Sequence, residues 1–84
     1  MQYVYVLQSN KDNDLDVGCT NNLQKRVTLH NKGEVKSTHL RSPLKLIFYE
    51  AFLNSTDAFE REQWLKTGWG RNQLRMMLRN TLKI

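Results

Sequence analysis

The sequence has few of the residues that cross-link small proteins or anchor them in membranes. Its one cysteine, Cys19, excludes a disulfide within the chain and any zinc or iron–sulfur site built from cysteines. No segment approaches the roughly 20 apolar residues that span a bilayer, and the first residues are strand-like rather than typical of a signal peptide. We therefore expect an intracellular, cytoplasmic protein with no membrane partner.

The chain is also too short for two hydrophobic cores. It has 84 residues, of which 39% are hydrophobic, and no repeat, linker or low-complexity segment divides it. We expect a single domain over residues 1–84. Because so small a core uses most of the larger apolar side chains for packing, function is expected on the polar surface.

Acidic residues are missing from the end of the chain. The formal net charge is +5, from 13 Lys and Arg against 8 Asp and Glu, and no acid follows Glu62. Four basic residues with a spacing of four would align on one side of a helix. We call them the basic stripe: Arg71, Arg75, Arg79 and Lys83. The stripe is either a solvated helix face or a surface that binds phosphates.

Strand-forming residues dominate the start of the chain. QYVYVLQS predicts a strand with Tyr3 and Tyr5 on one face. After the turn NKDND, LDVGC predicts a second strand that returns antiparallel to the first. Gly18 indicates a close approach of backbone or ligand. A helix should follow, capped within residues 20–22 and ending near Gly33.

The longest apolar run, LKLIFYEAF after Pro43, is the best candidate for a central strand. NSTDAFEREQWLKTG predicts a helix in which Asp57 and Glu60 have the spacing of a capping box. Gly68 and Gly70 should end this helix. The strand and helix order predicts an α+β fold, with a small three-stranded antiparallel sheet flanked by three helices.

The last helix is expected over roughly residues 71–82, with the basic stripe exposed. Its apolar positions, Leu74, Met77 and Leu78, should be buried. Trp64 and Trp69 have a spacing and position more typical of the core than of a surface that stacks on bases.

Three polar side chains are candidates for chemistry. Arg26 and His30 are four residues apart, so they project from the same edge of the first helix, although such pairs commonly face solvent. Glu62 falls in the helical arc that should face the core. It is satisfied either by an ion pair with Lys66 one turn on, or by a hard cation such as Mg²⁺ that takes oxygen ligands.

Several motifs occur together in a particular order. YVY at residues 3–5 is followed by DVG at 16–18, and later come HNKGEVKST, LIFYEAF, AFEREQWLK and GWGR. Between them, Gly18, Thr20, Leu23, Arg26 and His30 have the spacing Gly-x-Thr-x-x-Leu-x-x-Arg-x-x-x-His. This set resembles the GIY-YIG nuclease superfamily over most of the chain. The likeness is to its small stand-alone bacterial members, which are related to the nuclease module of the excision-repair incision subunit.

The resemblance implies a catalytic role for each matching residue. Tyr5 would accept or relay the proton of the attacking water, and Arg26 would lie beside the scissile phosphate. His30 would position Tyr5 or the water. Glu62 would hold a single divalent metal, Mg²⁺ or Mn²⁺, acting as a Lewis acid.

The implied partner is nucleic acid; the resemblance favours DNA over RNA, although no residue separates the two, and single-stranded DNA is one candidate. The basic stripe would hold its backbone without reading sequence. Lys36, Ser37 and Thr38 are further candidates for nucleic-acid contact. The sequence indicates no particular protein partner.

Two residues depart from the family pattern. Tyr3 stands where the family often has glycine, and Asp16 stands at the second-motif tyrosine. A carboxylate cannot donate a hydrogen bond to phosphate. At about 5 Å and an effective dielectric near 20, it would repel a phosphate charge by roughly 3 kcal/mol. Asp16 is therefore a second carboxylate near the metal, a lesion that disables catalysis, or a residue that points to solvent.

These interpretations of Asp16 lead to different functions. The first predicts a metal-dependent endonuclease with altered or reduced activity, and we count Asp16 among its catalytic candidates. The second predicts a nucleic-acid-binding module of the same fold without turnover. A protein-interaction domain that uses the last helix would bind no nucleic acid even at low salt.

Overall fold

The central strand of the fold is the first one. The computed structural model describes residues 1–83. Three of its segments form one antiparallel sheet. These are β1 (Gln2–Ser9), β2 (Leu15–Thr20) and β3 (Leu44–Phe52), in the order β2-β1-β3. The predicted hairpin of β1 and β2 is confirmed, with Tyr5 opposite Gly18.

The prediction of LKLIFYEAF as a central strand is wrong, because β3 pairs with β1 alone and lies at an edge. Residues 4–7 of β1 are buried on both faces of the sheet, whereas Lys45, Tyr49 and Ala51 of β3 are exposed. Tyr49 contacts Tyr3 edge to face, with ring centroids 6.0 Å apart.

Each of the first three helices begins at a polar side chain that caps it. Asn22 caps α1 (Leu23–Asn31), and Asn54 caps α2 (Ser55–Leu65) by accepting hydrogen bonds from the backbone N–H groups of residues 56 and 57. The predicted capping box at Asp57 is therefore wrong, since the residue that caps the helix, Asn54, lies three residues before Asp57. Thr67 caps α3 (Gly68–Met77).

The last predicted helix is two helices. The first, α3, already begins at Gly68 and ends at Met77. The backbone of Leu78 leaves helical geometry, and α4 (Arg79–Leu82) follows it. At the corner between α2 and α3, Gly70 packs against the backbone of Trp64 and Leu65, where a Cβ would overlap them. No helix described within residues 1–83 is long and apolar enough to cross a membrane.

The two faces of the sheet carry separate parts of the core. Side chains of α1 pack beside Tyr5, Leu7 and Leu44 on one face. On the other face, Val4, Val6, Leu15 and Val17 of the sheet pack with Ala58, Leu65, Leu74 and Leu78 of the helices.

Three predicted core residues lie outside the core. Met77 is 43% exposed, Trp64 is 40% exposed and Trp69 is 81% exposed. Met77 and Trp69 lie on α3 beside the buried Leu74 and Leu78, so the helix uses its aliphatic residues and the buried Gly70 for contact with α2. The α+β fold predicted from the order of elements is confirmed.

Candidate active site

A small cleft lies along the β2 edge of the sheet. It has a volume of about 260 Å³ and is lined by the five residues named as catalytic or metal-binding candidates: Tyr5, Asp16, Arg26, His30 and Glu62. They come from β1, β2, α1 and α2, and Glu62 reaches the cleft from the helix on the opposite face of the sheet. The structure therefore brings together side chains separated by up to 57 residues, the interval from Tyr5 to Glu62.

Tyr5 is placed in the cleft by the register of the hairpin. It lies opposite Gly18, and a Cβ at position 18 would overlap the Tyr5 hydroxyl and ring. The close approach that the sequence indicated at Gly18 is thus made by a side chain of the site itself. Without a side chain at position 18, the phenol ring can lie across β2 and reach His30.

A buried hydrogen-bonded chain links Tyr5 to Thr38. The Tyr5 hydroxyl lies 3.0 Å from Nε2 of His30, and Nδ1 of His30 lies 2.6 Å from Oγ1 of Thr38. All three side chains are buried. Since neutral imidazole has one N–H, the chain runs in one of two directions: either Tyr5 donates to Nε2 and Nδ1–H donates to Thr38, or both bonds reverse.

Burial keeps both titratable groups of this chain uncharged near neutral pH. Loss of hydration lowers the pKa of His30 below its usual 6.5, and Asp16 opposes this shift. Loss of hydration also raises the pKa of Tyr5 above 10, against the attraction of Arg26 for the phenolate. Tyr5 is therefore a hydroxyl and His30 a neutral imidazole that can accept a proton.

The cleft holds two carboxylates beside this chain. Glu62 is 13% exposed, and its Oε2 lies 3.0 Å from Nζ of Lys66, so the ion pair expected as one alternative is present. Asp16 lines the cleft and its charge acts on Tyr5 and His30, which disfavours the interpretation in which it points to solvent.

The donor chemistry of Asp16 and Glu62 fits a hard divalent cation. Within residues 1–83, no group of three or more His, Cys, Asp and Glu side chains is placed to hold a metal ion. Mg²⁺ does not require such a group, because it keeps several waters and binds one or two carboxylates together with substrate phosphate. The residues present therefore fit a metal completed by water and substrate.

The segment Lys36–Thr38 divides between surface and interior. Lys36 is exposed and Ser37 lines the cleft, whereas Thr38 is fully buried against His30. Thr38 is thus a hydrogen-bond partner of His30 and does not lie at the surface. The sequence held no signal for this pairing, since a loop brings Thr38 back over the end of α1.

The basic stripe does not form one surface. Arg71, Arg75 and Lys83 line a second cleft, which Lys45 of β3 joins. Arg79 is absent from the described lining of that cleft, and its guanidinium donates a hydrogen bond to the carbonyl of Met76. The reason is the break at Leu78, which ends the helical alignment assumed for the stripe.

Comparisons with known proteins give a family match over most of the chain. Residues 1–74 match the family model described as the GIY-YIG catalytic domain. A UPF0213 protein of Clostridium perfringens is 39% identical over 84 residues, covering 99% of this chain and 89% of its own. One from Staphylococcus haemolyticus is 37% identical over 76 residues, covering 89% and 92%.

A third relative, the UPF0213 protein YazA of Bacillus subtilis, is 42% identical over 65 residues, covering 76% of this chain and 65% of its own. No solved structure matches the chain significantly. The family match includes all five candidate residues that line the cleft, and the relatives are small bacterial proteins that match along most of the chain. The chain therefore belongs to the GIY-YIG family of nuclease domains, among its small UPF0213 members.

Proposed function

We propose that the protein is a divalent-metal-dependent endonuclease that hydrolyses phosphodiester bonds of DNA, with single-stranded DNA as the first substrate to test. The observation that carries the proposal is the 3.0 Å contact between the Tyr5 hydroxyl and Nε2 of His30 in a cleft that also contains Arg26 and Glu62. It supplies a proton path at a site with a cation and a metal-binding carboxylate.

In this proposal Tyr5 acts as a neutral hydroxyl that relays a proton, and not as a preformed phenolate. Its oxygen accepts a proton from the attacking water while its own proton passes to Nε2 of His30. The raised pKa of Tyr5 disfavours a preformed phenolate, and the lowered pKa of His30 leaves the imidazole free to accept. In this direction the Nδ1–H of His30 donates to Oγ1 of Thr38, and this is the tautomer that the relay requires.

The water oxygen then bonds to phosphorus as the bond to the leaving ester oxygen breaks, and solvent protonates that oxygen. Arg26 presents a planar donor group to the charge that develops on the phosphate. Glu62 and Asp16 would hold the divalent ion, which when bound supplies Lewis acidity at the leaving oxygen.

The charges of the cleft explain why a carboxylate at position 16 is compatible with this chemistry. Among the described lining residues, two cations, Arg26 and Lys66, face two carboxylates, Asp16 and Glu62, so the sum is zero. With a divalent ion held by Asp16 and Glu62 the sum would be +2, and the cleft would attract phosphate. Asp16 would then stabilise the metal, and its repulsion of phosphate would be offset.

The test is cleavage of end-labelled single- and double-stranded DNA with Mg²⁺ or Mn²⁺. We expect cleavage that a chelator abolishes and that Glu62→Gln reduces by roughly a hundredfold or more. Glu60→Gln is the matched control, because it removes the same charge from an exposed position of the same helix. Absence of cleavage by the wild type, or equal cleavage by both variants, would contradict the proposal.

The second candidate function is a nucleic-acid-binding module without turnover. The observation in its favour is Asp16 at the position of a family tyrosine. Asp16→Tyr separates the two functions, since it should lower activity if Asp16 helps to hold the metal. If the wild type binds DNA without cutting it and Asp16→Tyr cuts, Asp16 is the lesion and the binding module is correct.

A further inference from the structure

We call the cleft that contains Tyr5 and His30 the active-site cleft. A second, larger cleft opens beside the turn of the β1–β2 hairpin. Its volume is about 460 Å³. Four cationic side chains line it: Lys45, Arg71, Arg75 and Lys83. They converge from β3, α3 and the residue that follows α4, so they are not the charges of a single helix face. We call this surface the basic cleft.

The charges of the basic cleft are largely unpaired. Asp14 is the one carboxylate among its described lining residues, which leaves a sum of +3. Oδ1 of Asp14 already accepts a hydrogen bond of 2.9 Å from the Leu15 N–H and lies 3.9 Å from Nη1 of Arg71. An exposed ion pair at that distance contributes little, so Asp14 neutralises the cleft only in part.

Like charges gathered in a concavity repel one another unless a ligand neutralises them. A concave surface with one sign of charge also concentrates field lines and attracts counter-ions of matching size. Arginine pairs suit phosphate oxygens because each guanidinium offers a planar pair of donors. The chemistry of the basic cleft is therefore that of a phosphate site.

The basic cleft lies next to the candidate active site along the chain. Asp14 and Leu15 line the basic cleft, whereas Asp16 and Val17 line the active-site cleft. Lys66 in one cleft and Arg71 in the other stand on either side of the corner between α2 and α3. A strand held at one cleft can therefore reach the other by passing the β2 edge.

We propose that the basic cleft binds a backbone phosphate of the nucleic-acid substrate, as a second contact separate from the scissile phosphate. This inference rests on the proposed function for the identity of the ligand. The phosphate is held by charge and by guanidinium donors, with no contact to a base, so the contact adds affinity without reading sequence. It also predicts that Arg75 contributes to binding and that Arg79, one turn further along the chain, does not.

The test is binding of a fluorescent single-stranded oligonucleotide, measured by anisotropy over a range of salt concentrations in the presence of a chelator. Arg75→Gln should remove one phosphate contact. The slope of log affinity against log salt then falls by about 0.7, and binding weakens about fivefold at about 0.1 M salt. Arg79→Gln is the matched control, because it removes the same charge from an exposed residue outside the described cleft lining.

Equal losses in Arg75→Gln and Arg79→Gln would overturn the inference, since net charge alone would then explain binding. A free-anion site would be indicated if inorganic phosphate raised the melting temperature in an Arg75-dependent way while oligonucleotide binding did not depend on Arg75. A site that binds free phosphate but no oligonucleotide would also contradict the proposed contact with the nucleic-acid backbone. Because the chelator prevents turnover, these outcomes do not depend on whether the protein cleaves DNA.

Discussion

The active-site cleft and the basic cleft differ in how their charges are arranged. In the active-site cleft, two cations face two carboxylates around a buried Tyr5–His30 hydrogen bond. In the basic cleft, four cations face one carboxylate among the described residues, and the arginine and lysine side chains are wholly or partly exposed. One cleft has groups that can move protons, and the other has only fixed charge.

Under the proposed function, this difference separates catalysis from binding. Proton transfer requires groups with displaced pKa values, and burial provides them at Tyr5 and His30. Phosphate binding requires only uncompensated positive charge. The two surfaces should therefore respond to different changes: the first to loss of a hydroxyl or to pH, and the second to salt.

The largest expected effect is on cleavage by Tyr5→Phe. The variant removes only the hydroxyl that contacts His30, and loss of a general base typically costs 10²- to 10⁴-fold, so we expect roughly a thousandfold lower rate. Affinity for the oligonucleotide and its salt dependence should not change, because the basic cleft is untouched. Single-turnover cleavage and anisotropy measure the two quantities separately.

Tyr3→Phe is the control for this experiment, since Tyr3 lies two residues away on the same face of β1 and does not line the active-site cleft described for residues 1–83. Its cleavage rate should stay within a few-fold of the wild type. If both phenylalanine variants were equally slow, the Tyr5 hydroxyl would not be a proton relay. The assignment of proton transfer to the active-site cleft would then be wrong.

Part of the candidate site could be chosen from local spacing, whereas Tyr5 and Asp16 are chosen through the resemblance to the GIY-YIG family. Arg26 and His30 are one helical turn apart, and Gly18 lies opposite Tyr5 in a short hairpin, so few arrangements are possible. Glu62 was found because a carboxylate in a core-facing arc is unusual. Their roles in catalysis remain predictions until cleavage is measured.

Features that depend on distant contacts were not predictable in the same way. An apolar run does not reveal whether one or both faces of a strand are covered, so β3 was wrongly placed at the centre of the sheet. A regular spacing of arginines assumes an unbroken helix, which Leu78 interrupts. The spacing and position of Trp69 predict a core residue, whereas the buried Gly70 and Leu74 fill that contact.

The smallest expected effect is a loss of stability in mild acid that belongs to the active-site cleft alone. The folded-state pKa of His30 lies below 6.5 because of burial, so below about pH 6.5 the unfolded chain binds a proton that the folded chain does not. The free energy of unfolding should therefore fall as pH decreases from about 6.5 toward the lowered pKa. The Lys and Arg side chains of the basic cleft do not titrate in this range.

Urea unfolding at about pH 7.5 and about pH 5.5 measures this effect in the wild type and two variants. His30→Gln should reduce the difference in unfolding free energy between the two pH values, whatever its effect on absolute stability. His39→Gln should keep it, because His39 is exposed and its Nδ1–H donates to the carbonyl of Lys36. If His39→Gln removed the pH dependence and His30→Gln preserved it, the buried imidazole would not be the titrating group. The proton acceptor assigned to the active-site cleft would then be wrong.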